Sequence, residues 1–182
     1  LNSIKNFGII APISKDEIYS NFRIDNDKNL KEVESVKGFA MFLSMNNLKE
    51  IKFFDENFFL YFEEIDLCKR IRKNDIKIYI DPSIKVNHLG GTSHNSEINK
   101  TMELSRNWHW MWSSFYYHKK HYGYINALFK IYPKLLSSLI KFIFYLLIFQ
   151  KFKSDIYKHR VFGIINSVLL KKSWYRPKII IN

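Results

Sequence analysis

The sequence predicts an α/β domain followed by a basic helical tail. Three observations carry that expectation. Short apolar runs over the first hundred residues are punctuated by turn residues and by one segment of helical period. The stretches 97–122, 134–149 and 156–170 read as helices. The charge is divided unevenly. Residues 1–100 hold 15 Lys+Arg and 15 Asp+Glu, whereas residues 101–182 hold 14 bases against Glu103 and Asp155, so the whole excess of +12 lies in the second part. We therefore divide the chain into a balanced part, 1–100, and a basic part, 101–182.

Residues 7–13 read as a buried strand closed by Pro12. Residues 14–34 are polar and read as a loop. Residues 36–45 read as a mostly buried strand containing Gly38, and Asn46 or Asn47 can cap a short helix through Ile51. A dense aromatic stretch, Phe53 to Phe62, leads into a helix over 63–73. Acids occupy its first turn and bases its last, as the helix dipole favours, with Ile65, Cys68 and Ile71 on its apolar stripe. Ile76–Ile80 and Ile84–His88 read as two strands around an Asp81-Pro82 turn, with Gly90-Gly91 next. Pro133 reads as the start of a helix whose polar residues, Lys134, Ser137, Ser138, Lys141 and Tyr145, form one narrow stripe.

At 47% hydrophobic and 17% aromatic the chain can bury a core, which excludes disorder. One cysteine, Cys68, excludes an intrachain disulfide and a Cys-rich zinc site, and reads as a small core residue. No run of 18 uncharged apolar residues exists. The first residue is Leu1 and no secretory leader is visible, so a fragment or a processed product is expected.

Glu63, Glu64 and Asp66 put three carboxylates at one helix start. Like charges raise one another's pKa and a helix N-terminus lowers it, so the cluster can supply a general base, hold a cation, or simply sit solvated at a dipole-favoured position. The aromatic wall before it would form a hydrophobic rim. His88 sits at a strand end beside Gly-Gly, where a ligand can approach closely or the ring can serve structure alone. His94 lies in a polar loop and reads as solvated. The loop Gly90 to Ser93 lacks a full phosphate-loop pattern. Trp108, Trp110 and Trp112 read as core or interface.

The order Val36-Lys-Gly38-Phe-Ala-Met-Phe, then Phe54-Asp55-Glu56-Asn-Phe-Phe59-Leu60-Tyr61-Phe62-Glu63-Glu64-Ile-Asp66-Leu67-Cys68, then Ile78-Tyr79-Ile80-Asp81-Pro82, then Val86-Asn-His88-Leu-Gly90-Gly91 resembles the second half of the catalytic domain of family 2 glycosyltransferases. It is most similar to their rhamnosyltransferase-like branch. The resemblance covers about 60 residues, 36–94. It implies an α/β fold of the GT-A, Rossmann-like type, here its C-terminal, acceptor-side part. It implies an inverting, metal-dependent transfer of a rhamnose-like or other hexose from a nucleotide sugar to a saccharide or lipid-linked acceptor, in cell-surface polysaccharide synthesis.

By the same resemblance Glu64 stands where the family has its catalytic Asp, flanked by Glu63 and Asp66 as the other acids. Gly38, Phe59 and Tyr61 stand on the substrate side. His88 matches a His that completes the metal site for Mn²⁺ or Mg²⁺. Glu in place of Asp moves the carboxylate one methylene outward, and a misplacement of about 1 Å can lower a rate on the order of 100-fold. The family's Asp-x-Asp metal ligands belong to a preceding half. Asp25-Asn26-Asp27 lies only 11 residues before Gly38 and reads as a turn. The expectation is a C-terminal piece, inactive alone.

The basic tail resembles those of such enzymes. Its 134–149 helix is too short to span a bilayer, so it either lies in an anionic membrane interface or packs on the core with a solvated Lys stripe. A cytoplasmic enzyme, peripheral on the membrane, is expected. Competing readings are a non-catalytic glycosyltransferase-like binding protein and a nucleic-acid-binding module. No stacking or groove motif supports the latter, and no nucleic-acid partner is expected.

Overall fold

The computed structural model describes residues 6–14, 29–88 and 96–177. Its elements run β1 (Phe7–Ser14), β2 (Lys31–Glu32), β3 (Phe42–Leu43), α1 (Met45–Leu48), α2 (Glu63–Arg72), β4 (Lys77–Val86), α3 (Ser96–Tyr122), α4 (Tyr124–Leu147) and α5 (Lys151–Val168). They fall into two compact units, one from residues within 1–55 and 63–91 and one from residues within 56–62 and 92–182.

The first unit is a mixed four-stranded sheet in the order β2-β4-β1-β3. Parallel pairing of β1 with β4 forms its centre, and β3 and β2 add antiparallel edges. Ile9, Ala11 and Ile13 of β1 join Ile78 and Ile80 of β4 in one core with Val36, Leu48, Leu67, Cys68 and Ile71. Alternate strand residues thus meet the apolar stripe of α2. Cys68 lies in this core, and burial raises its thiol pKa to about 11, so it stays protonated and inert.

Three expectations change here. The strand over 36–45 shrinks to Phe42–Leu43, because 38–39 turn and leave Gly38 and Phe42 exposed at the sheet edge. The two strands around Pro82 are one strand. The Asp81 carboxylate accepts from the Ser83 N–H at 2.9 Å, and the extra residues are absorbed by a register shift, since Pro12 pairs Asp81 but Ile13 pairs Lys85. Pro133 does not start a helix. It lies within α4, which begins at Tyr124 after Gly123 takes φ +87°, a conformation glycine adopts freely. The Asp25-Asn26-Asp27 triplet, His94 and Gly90-Gly91 lie outside the described residues.

The second unit packs α5 against both α3 and α4. Met111 and Phe115 of α3, Ala127 and Ile131 of α4 and Ile164 of α5 form its core. Gly163 sets the α3–α5 approach: a Cβ there would collide with the Trp108 carbonyl oxygen and sit 3.1 Å from its carbon. Trp108 and Trp112 are buried and stack on one another, while Trp110 is half exposed. The Trp112 indole N–H donates to the Lys171 carbonyl at 3.0 Å, and Ser167 donates to the Trp112 carbonyl at 3.0 Å.

Both α4 and α5 end in a Schellman motif. Gln150 N–H donates to Tyr145 O and Phe149 N–H to Leu146 O; Lys171 N–H donates to Asn166 O and Leu170 N–H to Ser167 O. The left-handed residue of that motif is usually glycine. Here it is Phe149 at φ +57° and Leu170 at φ +57°, each unfavourable by about 1 kcal/mol.

Candidate functional site

The acid cluster is presented by the start of α2. Tyr61 and Phe62, the two residues before it, take φ +65° and +70°. Consecutive bulky residues in the left-handed region are strained by about 1–2 kcal/mol each and persist only where the surroundings over-determine them. Those surroundings are aromatic. Tyr61 meets Trp110 edge-on at 5.1 Å, Phe62 meets Trp110 and Tyr117 at 5.3 and 5.4 Å, Phe58 meets Tyr116 edge-on at 4.9 Å, and Ser113 donates to the Leu60 carbonyl at 2.7 Å. The Phe/Tyr wall seen in the sequence is therefore a docking strip on α3 that fixes the chain just ahead of Glu63.

Glu63 and Glu64 each keep one buried carboxylate oxygen with no hydrogen-bond partner among the described residues. Buried polar oxygens normally find partners, so these two adjacent acids have capacity to accept from a water or a ligand donor. Burial pushes the Glu64 pKa up, and the neighbouring Glu63 charge adds to the rise. Glu64 is thus a stronger base than an ordinary carboxylate. Gly38 lies against it: a Cβ on Gly38 would meet Glu64 Cβ, Cγ and Cδ at 3.6, 3.7 and 3.9 Å. Gly38 is itself exposed, whereas the free Glu64 oxygen beneath it is buried. The next residue, Phe39, stacks on the exposed His88 ring at 5.0 Å. Two consecutive residues thus touch the candidate base and the candidate ligand histidine.

Asp66 has a different setting. It is fully buried and bonded to Arg70 Nε at 2.8 Å. The Arg70 guanidinium also donates to the carbonyls of Ile51, Lys52 and Phe53 at 2.9, 2.7 and 2.5 Å. Lys52 is itself left-handed at φ +62°. The pair therefore clamps the strained turn that leads into the aromatic strip.

Phe59 and Tyr61 belong to the second unit. Phe59 carries the Arg176 guanidinium 3.5 Å above its ring. Tyr61 lines a cleft of about 260 Å³ with Glu103, Arg106, Asn107, Trp110 and Arg160. In that cleft Arg160 donates to Asn107 Oδ1 at 2.6 Å, and Asn107 donates to Glu103 Oε1 at 2.7 Å. Among the described residues no three His, Cys, Asp or Glu side chains converge into a cation site, and Asp66 is engaged by Arg70. His88 offers one imidazole, and no described acid completes a ligand set around it.

His109 was not singled out by its sequence, which gives no signal beyond one His among tryptophans. It is fully buried, with Nε2 2.8 Å from the Tyr175 carbonyl and Nδ1 3.0 Å from Ser173 Oγ. A carbonyl only accepts, so Nε2 carries the proton and Nδ1 accepts from the serine. Burial, with the Arg176 charge, lowers its pKa to about 4. The unfolded histidine takes its proton near pH 6.5, the folded one only near 4. Its contribution to stability is therefore complete above about pH 6.5 and disappears as the pH falls to 4, by about 3 kcal/mol. Thermal melts at pH 7 and pH 4 should show this loss in the native protein and a smaller one in His109→Gln.

No family model matches this sequence, and no solved structure matches it. A curated protein does: the low-salt glycan biosynthesis hexosyltransferase Agl10 of Haloferax volcanii is 38% identical over 52 residues, which are 29% of this chain and 17% of that protein. The match spans under a fifth of its curated relative. Over that segment the chain is similar to a hexosyltransferase.

Proposed function

We propose that the first unit carries the acceptor-activating part of a family 2, GT-A-type, inverting glycosyltransferase, with Glu64 as the general base. The observation that supports this most is the Glu63–Glu64 pair, with its two buried oxygens that lack a partner among the described residues, its raised Glu64 pKa and Gly38 beside it. The partial similarity to a hexosyltransferase points the same way.

In the proposed reaction an acceptor hydroxyl enters beside Gly38 and donates a hydrogen bond to Glu64. Glu64 takes its proton as the oxygen bonds to the anomeric carbon of the donor. The bond from that carbon to the diphosphate breaks with its electron pair on the leaving oxygen, and a nucleoside diphosphate departs. Attack opposite the leaving group inverts the anomeric centre. A base whose pKa is raised takes the proton more effectively. Glu63 raises that pKa, and Asp66 acts through Arg70 as a positioning residue. By the resemblance Phe59 and Tyr61, in the second unit, are aromatic residue types that suit the apolar faces of a sugar. The divalent cation that the resemblance implies would meet His88 here, with its remaining ligands supplied from elsewhere. It would neutralise the diphosphate.

The test is transfer by the full-length protein from uridine, guanosine and thymidine diphosphate sugars. Released nucleoside diphosphate is measured with product anomer, side by side with Glu64→Gln. Turnover of a donor with inversion, lost in the variant, supports the reading. Equal turnover in both would sink the base assignment.

A further inference from the structure

Helix α4 turns much of its apolar surface outward over its second half. Its inward positions there are Lys134, Leu135, Ser138, Phe142 and Tyr145, of which three are polar. Lys134 donates to Ser114 Oγ at 3.0 Å, and burial lowers its pKa; Ser138 donates to the Lys134 carbonyl at 2.7 Å. Tyr145 stacks on Tyr157 at 5.5 Å. Meanwhile Leu136, Ile140, Ile143, Phe144, Leu146 and Leu147 are all exposed. Of the polar stripe, Ser137 and Lys141 are exposed, but Lys134, Ser138 and Tyr145 face inward, so the stripe is not the solvated face of a helix packed on the core by its apolar side.

Water does not favour this arrangement, since it leaves a contiguous apolar surface uncovered. Phe149 sharpens the point. It is 93% exposed and occupies the left-handed position at the end of α4, where Asn or Gly would relieve strain and nothing in the unit packs on it. The fold has no use for a phenylalanine there, whereas an apolar phase outside the protein does.

We infer that the outward face of α4, with Phe149 at its end, inserts into an anionic lipid monolayer. No helix among the described residues is long and apolar enough to cross a membrane, so α4 lies along the surface. Charge complementarity selects the occupant. Residues 101–182 hold 14 bases against two acids, and Lys130, Lys151, Lys153, Lys171 and Lys172 are exposed around the apolar face or at the ends of α4 and α5. A second copy would bring the same positive charge to the contact, whereas anionic headgroups neutralise it. The half-exposed Tyr132 and Trp174 are the side-chain types that settle at headgroup level.

The test is co-sedimentation of the full-length protein with phosphatidylcholine vesicles, with and without about one third phosphatidylglycerol. The protein should pellet with the anionic vesicles and much less with the neutral ones. Ile140→Glu/Phe144→Glu should lower the bound-to-free ratio at least about tenfold. Phe149→Asn suits the left-handed backbone, so it should melt no lower than the native protein and still bind vesicles several-fold less. Lys151→Glu/Lys153→Glu should weaken only the anionic preference. Two results would overturn the inference: protein remaining in the supernatant with both vesicle types, or Ile140→Glu/Phe144→Glu dissociating a dimer while vesicle binding is unchanged, which would assign the face to a second copy. Neither result bears on sugar transfer.

Discussion

Glu64→Gln should lower sugar transfer about 100- to 10,000-fold while leaving the melting temperature unchanged or higher. General-base catalysis is worth on the order of 100- to 10,000-fold, and Gln keeps the shape of Glu without a site for the proton. The stability side follows from the same burial. Glu64 keeps a buried, unpartnered oxygen beside the Glu63 charge, and its pKa is raised, so the folded state disfavours the ionised form. Removing that charge removes the repulsion. A substitution that destroys rate without destabilising marks a group kept for chemistry at the expense of the fold. Parallel rate assays and melts read both halves.

Asp66→Ala should do the opposite, lowering stability by about 3–5 kcal/mol. The change leaves Arg70 without its buried partner, and Arg70 holds three successive carbonyls at Ile51, Lys52 and Phe53. Urea unfolding near neutral pH measures the loss. Any residual folded protein should bind acceptor poorly, because the Lys52 turn loses its clamp. Asp66→Asn should be milder, since an amide oxygen still accepts from Arg70. If Asp66→Ala lost transfer at undiminished stability, Asp66 would be a second chemical group.

The acids illustrate how far the sequence could be read. Three carboxylates at a helix start were legible, as was the helix, because dipole complementarity and the apolar stripe at Cys68 and Ile71 are local signals. Their division of labour was not. Asp66 is committed to Arg70, four residues on, and that commitment depends on carbonyls 17–19 residues away in sequence. Nothing in local spacing reveals it. Gly38 was placed in a strand because the 36–45 run is apolar, yet a turn at 38–39 leaves it open beside Glu64. The tail shows the complementary failure. The polar stripe of α4 was correctly spaced, but spacing does not say which side faces in. Ser114, which accepts from Lys134, and Tyr157, which stacks on Tyr145, meet that stripe through long-range packing. His109 was invisible for the same reason, since both its hydrogen bonds come from residues 64–66 positions later.

The pairing of Glu63 with Glu64 carries the proposed base, and the pH–rate profile of the full-length protein tests it most directly. Transfer rises with pH as the base ionises. The acid limb in the native protein should lie above the ordinary carboxylate range, because burial and the Glu63 charge both raise the Glu64 pKa. In Glu63→Gln the limb should move to lower pH as the like charge disappears. A limb that keeps its position in Glu63→Gln, or that survives in Glu64→Gln, would contradict the assignment of this pair as the base that activates the acceptor.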